Sequence, residues 1–107
     1  MTARFLAVYE TPADPNAFDR HYRDVHIPLA QRLPGLRRYV VGRDVAAVRG
    51  DPYYLVAELE WNTIEELRSA FASEAGRATA ADAAKLQELA AVRSMTYTNE
   101  DALPAEV

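Results

Sequence analysis

Two histidines and a tyrosine on one predicted helix are the residues whose types and spacing could do chemistry. Tyr22 and His26 are four apart, which places them about 40° apart around a helix and on one face. Pro28 follows His26 by two residues. It removes a backbone donor and disfavours helical geometry at Ile27, so a kink or a restart is expected near residues 25–28. A kink opens space beneath a helix. A histidine there, with a phenol nearby, is the minimum equipment for proton transfer on a small organic molecule. His26 would serve as general acid or base, and Tyr22 would orient it or bind an oxyanion. Phe18, Leu29 and Trp61 are the apolar residues assigned to the wall of such a pocket. The competing reading makes His26 a cap on the first helical segment and Tyr22 and Trp61 ordinary core. Desolvation in a pocket would favour a neutral His26, and capping at a helix C-terminus a charged one.

Other chemistries lack their parts. His21 and His26 are five apart, about 140° around a regular helix, which does not suit one shared metal. His21 is therefore expected on the opposite flank, facing solvent or an interface. The chain has no cysteine, which removes disulfides, thiolate nucleophiles and cysteine metal sites. No glycine-rich phosphate loop is present, and Ser69, Ser73 and Ser94 lack a nucleophile-elbow context. Neither a metal nor a cofactor is implied. Net charge is −4, which repels phosphates and anionic lipid, so nucleic acid and membrane surfaces are poor partners. The N-terminus turns polar too soon for a secretion signal, and no apolar run approaches a membrane span. A cytoplasmic protein is the default expectation.

The elements that must position these residues fit one domain of 107 residues, half of them hydrophobic. Arg4 to Tyr9 reads as a buried strand. Asp14-Pro15 opens a helix carrying Phe18, Tyr22, Val25, Leu29 and Leu33 on one stripe, and Leu33-Pro34-Gly35 ends it. Leu36 to Val45 is the second strand. Tyr53 to Trp61 is the third, with Tyr53, Leu55, Ala57, Leu59 and Trp61 on one face. Thr63-Ile64-Glu65-Glu66 opens a second helix, which Gly76 loosens before an alanine-rich continuation from Thr79 to Ala91 with Leu86 and Leu89 inward. Val92 to Asn99 is the fourth strand, and residues 101–107 form a polar tail beyond a domain spanning 1–100.

The order βαββαβ implies an α+β, ferredoxin-like fold: a four-stranded antiparallel sheet with two helices on one face. The other face would carry Tyr54, Val56, Glu58 and Glu60, beside Arg37, Tyr39, Val41 and Arg43. Apolar groups mixed with opposite charges suit a sheet-to-sheet homodimer. RNA-binding domains share this order, but their stacking motif and basic surface are missing.

The run Phe18-Asp19-Arg20-His21-Tyr22-Arg23-Asp24-Val25-His26-Ile27-Pro28-Leu29, followed by Pro34-Gly35-Leu36, resembles the EthD family. Its pattern is Phe-x-x-(His/Tyr)-(Tyr/Trp)-x-x-x-His-x-Pro-Leu with a later Pro-Gly-Leu, and Ala57 to Trp61 is similar to its third strand. The resemblance implies a dimeric α/β barrel and singles out His26. Its implied functions are broad: association with ether degradation, decarboxylation or dehydration of aromatic polyketides in fungal relatives, and lactone isomerisation or cofactor-free monooxygenation in the wider superfamily. The expected function is binding of a small apolar organic molecule with cofactor-free acid–base catalysis on it. The alternatives are a non-catalytic binding or accessory protein with the same pocket, and a structural dimer without a ligand.

Overall fold

The computed structural model describes residues 1–103. The last four residues of the expected polar tail, 104–107, lie outside the described residues. Strand β1 (Ala3–Tyr9) is followed by helix α1 (Pro15–His21), a π turn (Tyr22–His26) and helix α2 (Ile27–Ala30). Then come β2 (Arg38–Gly42), β3 (Leu55–Trp61), α3 (Ile64–Ala72), α4 (Glu74–Leu89) and β4 (Val92–Thr98). The strands form one antiparallel sheet in the order β2-β3-β1-β4, the ferredoxin-like arrangement. Both helical runs cover the same face.

Local chemistry sets the boundaries. Asp14 caps α1, its carboxylate accepting from the Ala17 N–H, and Pro15 occupies the first turn. Thr63 caps α3 by accepting from the Glu66 N–H. Gly35 adopts φ +73°, and a Cβ there would lie 3.3 Å from Trp61 Cδ1, so both conformation and space favour glycine. Gly76 does not loosen the second helical run. The run breaks at Ser73, whose hydroxyl accepts from the Gly76 N–H and caps a new helix. A Cβ on Gly76 would sit 2.4 Å from the carbonyl oxygens of Ala70 and Phe71. Glycine is what lets the two helices meet this closely.

The core lies between sheet and helices. Leu55, Ala57, Leu59 and Trp61 point inward from β3, as their alternation predicts. Two assignments for the open face need correction. Tyr39 pairs with Leu59 and Val41 with Ala57, so Tyr39 and Val41 share the helix-facing side, while Arg38 and Val40 stand opposite Glu60 and Glu58 on the open side. Tyr54 precedes β3, and its hydroxyl bonds the Asp19 carboxylate of α1 rather than lying on the open face. The open face also carries Arg4, 3.0 Å from Glu60 and 3.4 Å from Glu58. Among the described residues no helix is long and apolar enough to cross a membrane.

Candidate functional site

The π turn builds the site. Its closing bond runs from the Ile27 N–H to the Tyr22 carbonyl, five residues back. Pro28 has no N–H to continue an α-helical ladder, and its ring crowds the carbonyl four residues upstream. The chain widens by one residue just before it, so the expected break near residues 25–28 takes the form of a π turn. The extra residue shifts the phase of the buried stripe. Phe18 and Tyr22 lie inward, followed by His26 and Ala30 instead of Val25 and Leu29, and Val25 is left 40% exposed.

A π turn also brings residues five apart onto one side. His21 therefore does not lie on the opposite flank. His21 Nε2 is 2.8 Å from Asp82 Oδ1, and His26 Nδ1 is 2.9 Å from Asp82 Oδ2. An ionised carboxylate only accepts, so each imidazole donates the N–H that faces it. Asp82 is 4% exposed and sits on α4 between Thr79 and Leu86, on that helix's buried stripe. An acidic residue three and four positions from inward neighbours was the sequence signal for it, and the composition of an alanine-rich helix concealed it.

Beneath the helices lies a cavity of about 350 Å³. Its sheet side is formed by Phe5, Ala7, Tyr9, Tyr39, Ala57 and Leu59; Tyr22, His26 and Ala30 close one end. Ala80, Ala83 and Ala84 of α4 line a third side, where exposed Ala80, Ala84 and Gln87, with Ser94 of β4, mark an opening. Small side chains on α4 leave the space that larger ones would fill. Phe18 and Trp61 are fully buried but outside this wall. Phe18 packs on Tyr9 and Tyr22, and Trp61 donates its indole N–H to the Pro34 carbonyl at 2.9 Å. Leu29 is rotated off the wall by the π turn. The three residues assigned to the pocket wall are therefore replaced by Tyr9, Tyr39 and the α4 alanines.

Tyr22 and His26 come together on the wall, with ring centres 5.3 Å apart. The Tyr22 hydroxyl bonds the Tyr39 hydroxyl at 2.7 Å, however, and Asp82 rather than Tyr22 holds the imidazole. Burial lowers the His26 pKa below the ordinary 6.5, against the opposing pull of Asp82. Burial likewise pushes the Tyr22 phenol far up and that of Tyr39 to about 12, so both stay protonated donors near neutrality. Among the described residues no group of three or more His, Cys, Asp or Glu side chains is placed to hold a metal ion.

Residues 10–90 match the model of the EthD domain. The chain belongs to the EthD family. A Rhodococcus erythropolis relative, named as an uncharacterized 11.0 kDa protein of the thcB-thcC intergenic region, is 37% identical over 100 residues, covering 92% of this chain and 94% of that one. The crystal structure of an EthD family protein from Bacillus halodurans superposes with a TM-score of 0.84 at 34% identity, covering 94% of this chain and all of that one. SnoaB from Streptomyces nogalater, a cofactor-independent oxygenase, superposes with a TM-score of 0.70 at 19% identity, over 97% of this chain and 98% of SnoaB. At that identity the likeness is one of fold.

Proposed function

We propose that this EthD protein binds a small, largely apolar organic molecule in the cavity and performs cofactor-free acid–base chemistry on it. The observation that carries this reading is His26, a buried imidazole on an apolar wall with Nδ1 tied to a buried carboxylate. With the proton on Nδ1, the lone pair is on Nε2, which has no protein partner among the described residues. The carboxylate fixes tautomer and ring orientation, as in other paired base arrangements. The phenol pair adds a donor. Two hydroxyl groups carry two hydrogens, and the bond between them uses one. The other is available to a ligand oxygen. The ligand is then a neutral molecule with an acceptor oxygen near Tyr22 and Tyr39 and an acidic proton near His26. SnoaB's lack of a cofactor is compatible with this reading, but its oxygenation is not carried over.

The test is a screen of neutral bicyclic ketones and phenols by thermal shift, with hits followed by calorimetry and by mass spectrometry for conversion. The wild type is expected to bind and convert at least one class. His26→Ala is expected to keep binding while the rate falls by about 10²–10⁴. Binding without conversion by the wild type would make the protein a non-catalytic binder. No binding at all would overturn both.

A further inference from the structure

The acid–base reading uses Asp82 only to hold His26 and leaves His21 without a role. The geometry gives both more to do. Asp82 spends one carboxylate oxygen on each imidazole, at 2.8 Å and 2.9 Å, and no lysine or arginine pairs with it among the described residues. The His26 side chain is 9% exposed and faces the cavity; that of His21 is 26% exposed and reaches the surface. The trio is a continuous hydrogen-bonded path from the cavity to solvent.

We propose that His21 is the outward proton port of the cavity base, because Asp82 supports one imidazolium at a time. This rests on the reading of His26 as a base. With both rings neutral, the trio holds a buried negative charge; with both protonated, it holds a net positive one. With one protonated it is neutral, the state of lowest desolvation cost. A charge gained on one side is therefore matched by a charge lost on the other. The acidic C–H or O–H bond of the bound molecule breaks, its electron pair stays on the molecule, and the proton bonds to His26 Nε2. His26 keeps its Nδ1–H on Asp82. His21 releases its Nδ1 proton to water and keeps its Nε2–H on the same carboxylate. The trio's charge is unchanged, and reprotonation of the bound anion reverses each step.

Among the described residues little else titratable faces the trio. Tyr22 lies against His26, Tyr9 of β1 lies 5.8 Å from Tyr22 between ring centres, and Tyr39 of β2 bonds the Tyr22 hydroxyl. Helix α2 has no titratable side chain. On α1, Asp19 is engaged by Tyr54 and Arg43, and Arg20 is exposed. Arg23 and Asp24 pair with each other in solvent, and Lys85 and Glu88 of α4 are exposed. His21 adds to the burial that disfavours charge on His26.

The experiment is an NMR titration of the imidazole nitrogens in the ligand-free full chain, comparing wild type with His21→Gln. Glutamine keeps an N–H for Asp82 but carries no proton charge. The wild-type rings are expected to titrate in coupled steps, each inflecting where the other changes. In His21→Gln the His26 midpoint is expected to shift upward, because the full Asp82 charge then falls on it. An unchanged His26 midpoint would reduce His21 to a hydrogen-bond donor and overturn the port. Should His21→Gln fail to fold, independent wild-type titrations would overturn it equally. No ligand enters this test, so a failed ligand screen and a failed port are separate results.

Discussion

Charging an imidazole away from water costs free energy, and at His26 that cost should appear as a pH dependence of stability. Its folded-state pKa lies below 6.5, so between the two values the unfolded chain binds more protons than the folded one. Stability should therefore be complete above the ordinary histidine range and be lost progressively as pH falls from about 6.5 toward the lower folded value. Urea denaturation of the wild type at pH 7.5 and at 5.5 measures this loss, and His26→Gln should reduce it. An equal or larger loss in His26→Gln would place the pH dependence elsewhere. The candidate base itself was legible in the sequence because Pro28 and the Tyr22 spacing mark it. Asp82 was not, since it lies far along the chain in a helix that reads as alanine-rich filler. Only the fold brings it within 2.9 Å of His26.

At the scale of elements, one added residue decides which side chains face the cavity. A regular helix through residues 15–30 would bury Val25 and Leu29 and separate the two histidines by about 140°. The π turn buries His26 and Ala30 and brings both histidines to Asp82. The proline announces a break but not its type, which is why Leu29 reads as a wall residue in sequence and stands off the wall in the fold. The α3–α4 junction is as tight. Gly76→Ala would place a Cβ 2.4 Å from two backbone carbonyl oxygens, and backbone yields less readily than a flexible side chain. The variant should lose about 2–3 kcal/mol or more, read as a fall in denaturation midpoint. Because α4 carries Asp82 and the cavity alanines, the same variant should weaken ligand retention. A Gly76→Ala protein with wild-type stability would show that the junction relaxes freely.

For the whole molecule, the open face of the sheet is the unfinished surface. The βαββαβ order was legible because Pro, Gly and capping residues punctuate most of the junctions, the passage from α4 through Ala90 and Ala91 into β4 excepted. The register of β2 was not. Arg37, Tyr39, Val41 and Arg43 alternate as plausibly as Arg38, Val40 and Gly42, and only pairing with β3 decides between them. With the register fixed, the open face presents Val40 at 38% exposure, Met95 at 44% and Tyr97 at 36%, interleaved with Arg4, Arg38, Glu58 and Glu60. Arg4 bridges both glutamates within the chain, while its Nε is buried without a partner among the described residues. A surface that is part apolar and part paired charge buries well against a copy of itself, where two-fold symmetry lets each arginine reach the partner's acids. We predict a homodimer through this face with more than about 1,000 Å² buried. Arg38→Glu should weaken it, because a third acid beside Glu58 and Glu60 repels its symmetry mate and leaves those acids less compensated. Light scattering across a dilution series is the measurement. The wild type should hold a dimer mass at micromolar concentration and Arg38→Glu should shift toward monomer, whereas a stable wild-type monomer would sink the assignment of this face.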